Sequence, residues 1–285
     1  SFPAEGNCRA CMVEIEGERV LAASCCRQPT DGMVVNSANN RARTAQKMVL
    51  ELLKSDMPQP DEGTLKQSSE FESWCNKLDI GKPRFDAHQQ PDGDSSNPAI
   101  VVNLSACIQC TRCVRACREI QVNDVIGFAF SGSHSKIVFD LDDEMGTSSC
   151  VSCGECVQVC PTGALKNKLE NTDLVTDKKV DTACPYCGVG CLLTYNVSEG
   201  KITHVDGRDG PANKNRLCVK GRYGFDYIHH PGRLTKPLIR REGVSKTEKL
   251  VPQSDINKVF REASWDEALA LAANGLSSIR DKFGG

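Results

Sequence analysis

Apolar positions recur along this 285-residue chain with two spacings, and the places where one gives way to the other predict its elements. Met12, Val13 and Ile15 read as a strand, Gly17 as a turn, and Val20 and Leu21 as the return strand. From Asn39 to Lys54 the spacing changes: Ala45, Met48, Val49, Leu52 and Leu53 mark one face of a helix. Phe71, Trp74, Cys75 and Leu78 predict a second, short helix, with Cys75 on its buried face. Ala99 to Asn103 is a short β-branched run, and Val122 to Phe130 with Ile137 to Phe139 form a hairpin across Ser-Gly-Ser. Short helices are expected near 114–120 and 155–159, and Asn171 to Val180 reads as a charged linker. Beyond it, Leu192 to Val197 and Lys201 to Val205 are two strands joined by Glu199-Gly200. Ser264-Trp265-Asp266-Glu267 is a capping-box sequence that opens a last helix with Ala268, Leu269, Ala272, Leu276 and Ile279 on its apolar side. That side is expected to pack on further protein.

Composition sharpens this reading through the cysteines. There are seventeen, an odd number, and they cluster too closely to pair comfortably as disulfides. No apolar signal segment opens the sequence and no run approaches a membrane span. Thiolate–metal chemistry in a reducing, cytoplasmic compartment is therefore expected. A net charge of −2 with dispersed Lys and Arg, and few aromatics, leaves no footprint for nucleic acid.

The cysteines fall into three sets. Cys107, Cys110, Cys113 and Cys117, then Cys150, Cys153, Cys156 and Cys160, each follow C-x2-C-x2-C-x3-C, and Pro161 suits the sharp exit after the second run. Such a run holds a [4Fe–4S] cluster in bacterial-type ferredoxins, where the fourth Cys of each run serves the other cluster. The expected quartets are Cys107, Cys110, Cys113 with Cys160, and Cys150, Cys153, Cys156 with Cys117. Zinc, which favours separated pairs, is the competing occupant. Cys184, Cys187 and Cys191 with Cys218 form C-x2-C-x3-C and a distant fourth, a set that a tetrahedral zinc could also use on spacing alone. Cys8 and Cys11 form a C-x2-C pair to which the first hairpin returns Cys25. The adjacent Cys26 reads as a small core residue.

The set of Cys8, Cys11 and Cys25 resembles the plant-type [2Fe–2S] domain found at the N-terminus of the large iron–sulfur subunit of complex I, of iron-only hydrogenases and of formate dehydrogenase catalytic subunits. In that family a further Cys lies upstream, so the sequence is expected to start inside this domain, with the fourth ligand of the cluster preceding it. Where relatives of this layout carry a His and three Cys for an additional cluster, this sequence has only Cys75 and, after it, His88. Residues 55–98 are therefore expected to connect modules and to bind no metal.

C-P-Y-C-G-V-G-C at 184–191, with N-R-L-C-V-K-G-R-Y-G-F-D-Y-I-H-H-P-G-R-L-T-K-P-L-I-R-R from Asn215, resembles the opening of the catalytic domain of molybdenum or tungsten formate dehydrogenases. With the modules ahead of it, the order is similar to the catalytic (alpha) subunit of soluble NAD-linked enzymes of that family. The resemblance implies an α+β, multi-module chain. Its parts are a partial β-grasp [2Fe–2S] domain (1–54), a connecting segment (55–98), a twin [4Fe–4S] ferredoxin domain (99–177) and the start of the bis-pterin domain with its own [4Fe–4S] cluster (178–285). It implies three [4Fe–4S] clusters, one [2Fe–2S] cluster, and a bis-molybdopterin guanine dinucleotide with Mo or W completed by the remainder of the subunit. FMN and NAD would lie on a partner iron–sulfur subunit. Lys220 matches the family lysine between cluster and pterin. Formate oxidation to CO2, or its reverse, is implied, with electrons passing from pterin through the Cys184, twin and Cys8 sets to flavin. No catalytic residue falls in this sequence: the metal's own ligand is expected beyond Gly285, and His229 and His230 read as loop residues. The alternatives are an electron-input subunit of a complex I-like or hydrogenase assembly, a nitrate reductase, and a non-catalytic polyferredoxin. The Cys184 motif speaks against hydrogenase, and the missing His-and-three-Cys motif weakens complex I.

Overall fold

The computed structural model describes residues 4–58, 69–87, 92–168, 176–246 and 250–284. The chain divides into two compact units, Ser1–Phe225 and Asp226–Gly285.

The first unit opens with β1 (Met12–Ile15), whose Val13 and Ile15 alternate into the interior, flanked by β2 (Ala22–Ala23) and β3 (Val35–Asn36) in the order β2-β1-β3. Both pairings are antiparallel, with Met12 opposite Ala23. The return strand thus lies two residues later than Val20 and Leu21, because the reversal around Gly17 (φ +83°) is longer than a tight turn, and Val20 is left exposed.

Helix α1 (Asn40–Ser55) starts where the Asn39 side chain accepts from the Ala42 N–H at 2.9 Å. Its inward face runs through Ala42, Leu50 and Ser55, and Leu52, placed on that face by spacing, is exposed. Helix α2 (Glu70–Lys77) has a complete capping box between Ser69 and Glu72 and buries Phe71 and Cys75. Its Trp74, also expected inward, is exposed, with Lys77 Nζ 4.4 Å from the ring centroid.

β4 (Ile100–Val102) pairs antiparallel with β7 (Leu165–Asn167), closing both ends of the intervening segment onto one ladder. Within it lie α3 (Arg112–Arg115), the hairpin of β5 (Ile126–Ala129) and β6 (Lys136–Phe139), and α4 (Glu155–Val159). Ile100, Val102, Val125, Ile126, Ile137, Phe139, Met145 and Leu165 make the core of this segment, and three thiols, Cys113, Cys117 and Cys156, are part of it.

The third sheet has the order β10-β9-β8: β8 (Lys178–Ala183), β9 (Leu192–Ser198) and β10 (Lys201–Gly207). β8 overturns the expected linker end at Val180. Lys178-Lys179-Val180-Asp181-Thr182 is charged because it is an edge strand, where Val180 and Thr182 turn partly inward while the charges meet solvent. The β9–β10 reversal places Glu199 and Gly200 at φ +50° and +75°, the twist that a two-residue hairpin loop needs. α5 (Val219–Tyr223) ends the unit.

The second unit contains β11 (Leu238–Arg240) paired antiparallel with β12 (Phe260–Glu262), α6 (Ile256–Val259) and α7 (Trp265–Phe283). Ser264 Oγ accepts from the Glu267 N–H at 3.1 Å, one half of the predicted capping box, while the Glu267 carboxylate turns to Arg261 instead of the Ser264 N–H. Leu269, Ala272, Leu276 and Ile279 are exposed within this chain, and Ala268 is partly buried. No helix among the described residues is long and apolar enough to cross a membrane.

Candidate metal centres

The twin runs fold into matching loops. Gln109 and Thr111 in the first, and Ser152 and Gly154 in the second, have φ of +54°, +59°, +52° and +73°. Left-handed residues at these alternate positions coil the backbone so that N–H groups turn inward onto sulfur. Gln109 N–H donates to Cys107 Sγ and Ser152 N–H to Cys150 Sγ, each at 3.4 Å. The Arg112 and Glu155 N–H groups serve Cys110 and Cys153 in the same way. Such donors stabilise thiolate or cluster sulfur and are arranged before anything binds.

The fourth cysteine of each run leaves its own loop. Cys117 lies in a wide turn, Ala116–Ile120, that follows α3, and its sulfur accepts from the Val125 N–H at 3.4 Å. Cys160 ends α4. Cys107, Cys110, Cys113 and Cys160 line one cavity with Pro161 and Ile137. Cys117 instead stands electrostatically close to Cys150, Cys153 and Cys156. The structure therefore brings the fourth thiol of each run to the other triplet. Burial pushes the Cys107 thiol up to about 11, aided by Cys110 and Cys160, and raises Cys113 and Cys156 further. A metal or cluster must displace those protons. Among the described residues no three His, Cys, Asp or Glu side chains converge tightly enough for a single metal ion; the first quartet rings a space instead. Four thiols around a cavity, with backbone donors on their sulfurs, fit the donor set of a cubane.

At the first hairpin, the pairing of Met12 with Ala23 brings Cys25 to Cys11, and Ser24 N–H donates to the Cys11 carbonyl at 3.1 Å. Burial opposes ionisation of Cys11, but hydrogen bonds from Cys25 and Ser24 outweigh it and hold that thiol below its usual range. Cys25, through its hydrogen bond to Cys11, is pushed up to about 11. Cys8 is exposed, and the Arg112 guanidinium feels both it and Cys110. Cys26 is exposed rather than core: the short Ser24–Cys26 turn swings it outward, 3.6 Å from Cys25 sulfur to sulfur.

The connecting segment packs between these two sets. Phe71 and Cys75 of α2 join Leu50 in an apolar cluster that touches Ala10, inside the Cys8 loop, and Ile108, inside the Cys107 loop. Glu70 makes a bidentate pair with Arg112 at 2.6 and 3.0 Å. Cys75 lies apart from every thiol set, and burial raises its thiol. His88 lies outside the described residues.

The third set is assembled at strand ends. Cys184 and Cys191 flank the reversal between β8 and β9, with Cys184 N–H donating to the Cys191 carbonyl at 2.8 Å. Cys191 is close to Cys184, Cys187 and Cys218, and its thiol is raised by burial and by those neighbours. Asn213 fixes the loop that returns Cys218: its amide donates to the carbonyls of Leu192, Arg208 and Arg216 and its oxygen accepts from Leu192 N–H. Nothing in its local sequence singled out Asn213, because its role appears only once β9 lies alongside. Cys218 caps α5, Lys220 is exposed on that helix, and His229 and His230 are exposed.

Comparison with known proteins follows this division. Residues 1–40 match the 2Fe-2S iron-sulfur cluster binding domain, 97–166 the ferredoxin-like domain of NADH-quinone oxidoreductase subunit 3, and 177–230 the molybdopterin oxidoreductase Fe4S4 domain. Each thiol set falls inside one match, and Cys75 falls in none. The chain is 29% identical over 98% of its length to "Putative formate dehydrogenase SAB2186c" of Staphylococcus aureus strain bovine RF122 / ET3-1, and equally to its counterpart in strain MSSA476. It spans about a third (31%) of the length of each of these relatives. The crystal structure of NAD+-reducing [NiFe]-hydrogenase in the H2-reduced state shares the fold, with a TM-score of 0.53 and 23% identity over 58% of this chain and 71% of that one. In sequence the chain is thus formate dehydrogenase-like, and it carries a [2Fe–2S] domain, a ferredoxin-like domain and a molybdopterin oxidoreductase Fe4S4 domain in that order.

Proposed function

We propose that this chain is the electron-transferring part of the catalytic subunit of an NAD-linked molybdenum or tungsten formate dehydrogenase. The observation that carries the reading is the crossed assembly of two thiol quartets, flanked by a [2Fe–2S]-type set and a molybdopterin oxidoreductase-type set in one folded unit.

Cys107, Cys110, Cys113 and Cys160 hold one [4Fe–4S] cluster, Cys150, Cys153, Cys156 and Cys117 the second, and Cys184, Cys187, Cys191 and Cys218 the third. Cys8, Cys11 and Cys25 supply three ligands of a [2Fe–2S] cluster. Iron–sulfur clusters supply one-electron transfer, and protein donors, charge and burial set the potential at which it occurs. The chain's own contribution is to hold thiolates at fixed places, aim N–H donors at sulfur, and pack Ala10 against the same cluster as Ile108 so that the first two modules stay in register. Lys220, exposed on α5, would lie between the Cys184 cluster and a bis-pterin guanine dinucleotide with Mo or W held with the remainder of the subunit. FMN and NAD belong to a partner iron–sulfur subunit, and the assembly is cytoplasmic. The modules follow the boundaries 1–54, 55–98, 99–177 and 178–285, the first being β-grasp in type. The match at 97–166 also suits a complex I-like electron-input subunit, but the relatives that match 98% of the chain carry the formate dehydrogenase name, which favours the first reading.

The test is made in the full-length subunit with its partner. The sequence shown here should account for about 14 irons, four per cubane and two for the [2Fe–2S] centre. Cys218→Ala should abolish formate-driven NAD reduction and spare NADH-driven dye reduction at the partner's flavin. Loss of both activities would assign Cys218 a folding role, as for a structural zinc ligand.

A further inference from the structure

Among the described residues one charged pair is buried on both sides. Arg222 and Glu155 are 3% and 7% exposed, 3.2 Å apart, and belong to different modules. Arg222 sits on α5, one turn after Cys218, the capping residue whose carbonyl accepts its N–H at 3.1 Å. Its guanidinium crosses to the loop of the second quartet. Nε donates to the Cys153 carbonyl at 2.8 Å, and Nη1 to Gln158 Oε1 at 2.9 Å and the Val205 carbonyl at 3.4 Å. Gln158 in turn accepts from Gly207 N–H at 3.1 Å and donates to the Asn215 carbonyl at 3.3 Å. The loop is shaped around this side chain: a Cβ on Gly154 would lie 2.1 Å from Arg222 Cδ and 2.4 Å from the Tyr223 hydroxyl oxygen. Surface charges trimmed at domain seams cost little, but a buried pair carries a desolvation penalty of several kcal/mol per ion, so this one calls for an explanation beyond stability.

We propose that Arg222 is a positioning residue between two cluster sites: it fixes the Cys150–Cys156 loop against the helix that carries Cys218, and its charge raises the reduction potential of the cluster held by Cys150, Cys153, Cys156 and Cys117. This rests on the assignment of the two thiol sets to clusters made above. Reduction adds one negative charge to a cluster. A guanidinium held by the carbonyl of one ligand, in a site from which water is excluded, favours the reduced form more than the same charge at the surface would. Glu155 takes the Nη2 end of the same guanidinium at 3.2 Å and tempers that bias. Beside the Cys107 quartet, Arg112 is partly exposed and both of its terminal nitrogens are taken up by Glu70, whereas Arg222 keeps its Nε on the Cys153 carbonyl alongside its pair with Glu155. The two clusters of the twin module are thereby set apart in potential, the one beside α5 being the readier acceptor.

The full-length protein with its partner, purified anaerobically, is titrated redox-wise and followed by low-temperature EPR. Arg222→Gln should lower the midpoint of one [4Fe–4S] signal so that its reduced-to-oxidised ratio at the wild-type midpoint falls about tenfold, about 59 mV for one electron. The remaining signals should stay in place. Arg222→Lys, keeping the charge, should return the signal most of the way. Glu155→Gln should move the same signal upward. Unchanged midpoints in both Arg222→Gln and Glu155→Gln, with full iron content, overturn the proposal, as does Arg222→Lys behaving like Arg222→Gln. Should Arg222→Gln lose the four irons of that cubane, Glu155→Gln decides: an upward shift supports the proposal and no shift overturns it. A wild-type protein without [4Fe–4S] signals would instead remove the cluster assignment itself.

Discussion

The Cys107–Cys160 and Cys184–Cys218 sets use the same ligand chemistry in different surroundings. In the former, Cys113, Cys117 and Cys156 belong to the core with Ile100, Met145 and Leu165, and burial drives thiols upward. In the latter, Cys187 and Cys218 are exposed, and a hydrogen-bonded loop centred on Asn213 holds the ring together beside the buried Leu193 and Leu217. The difference teaches that a module can bury its metal site with its own strands, or fix the ligands first and take its insulation from whatever packs over them. Burial protects a cluster but makes the apo site resist ionisation; exposure does the reverse.

The crossed quartets offer the largest effect. Cys117→Ala should remove the cubane whose other ligands are Cys150, Cys153 and Cys156, a loss of up to about four irons, while the Cys107 quartet keeps its EPR signal. Loss confined to the Cys107 quartet would break the assignment and, with it, the account of the buried region as two interlocked sites.

A smaller effect separates the two regions kinetically. With this chain alone, reconstituted anaerobically, a ferrous chelator should strip the Cys184 set first, at least about tenfold faster than either quartet, because local opening is not needed to reach exposed thiolates. Equal rates would show that the core around Cys113 and Cys156 gives no protection.

How far these regions could be read from sequence follows from the range of the interactions involved. The cysteine runs were legible because their geometry is local: two residues between thiols is the length of one coiled loop. Glu199-Gly200 and the Asn39 cap were legible for the same reason. The third strand of the β9 sheet was missed because an edge strand rich in Lys and Asp has a linker's composition. The inward face of α1 was misplaced at Leu52, since apolar spacing marks a stripe but not which neighbour arrives to cover it. Cys26 was placed in the core on its size, and the turn at Ser24–Cys26 puts it outside. Arg222 was invisible for the strongest reason: its partners Cys153, Gln158 and Glu155 lie 64 to 69 residues away, and C-V-K-G-R reads as surface charge until the fold brings them together.

The smallest effect tests whether burial by itself makes a cysteine a ligand. Cys75 is 2% exposed, as deeply buried as any thiol of the quartets, yet its surroundings are Leu50 and Phe71, with Ala10 and Ile108 packed nearby. Its thiol is raised by burial, eased by Lys54, with no other cysteine among the causes. Cys75→Ser should therefore leave the iron content and every EPR signal unchanged. It should lower stability by about 1–3 kcal/mol, since a hydroxyl replaces a small apolar group in a packed site, and Cys75→Val, if accommodated, should recover much of that. His88→Ala, added to Cys75→Ser, should change nothing in iron. A loss of about four irons in that double variant would instead make residues 55–98 a cluster-binding module, a third kind of site between the exposed Cys8 loop and the buried Cys107 loop.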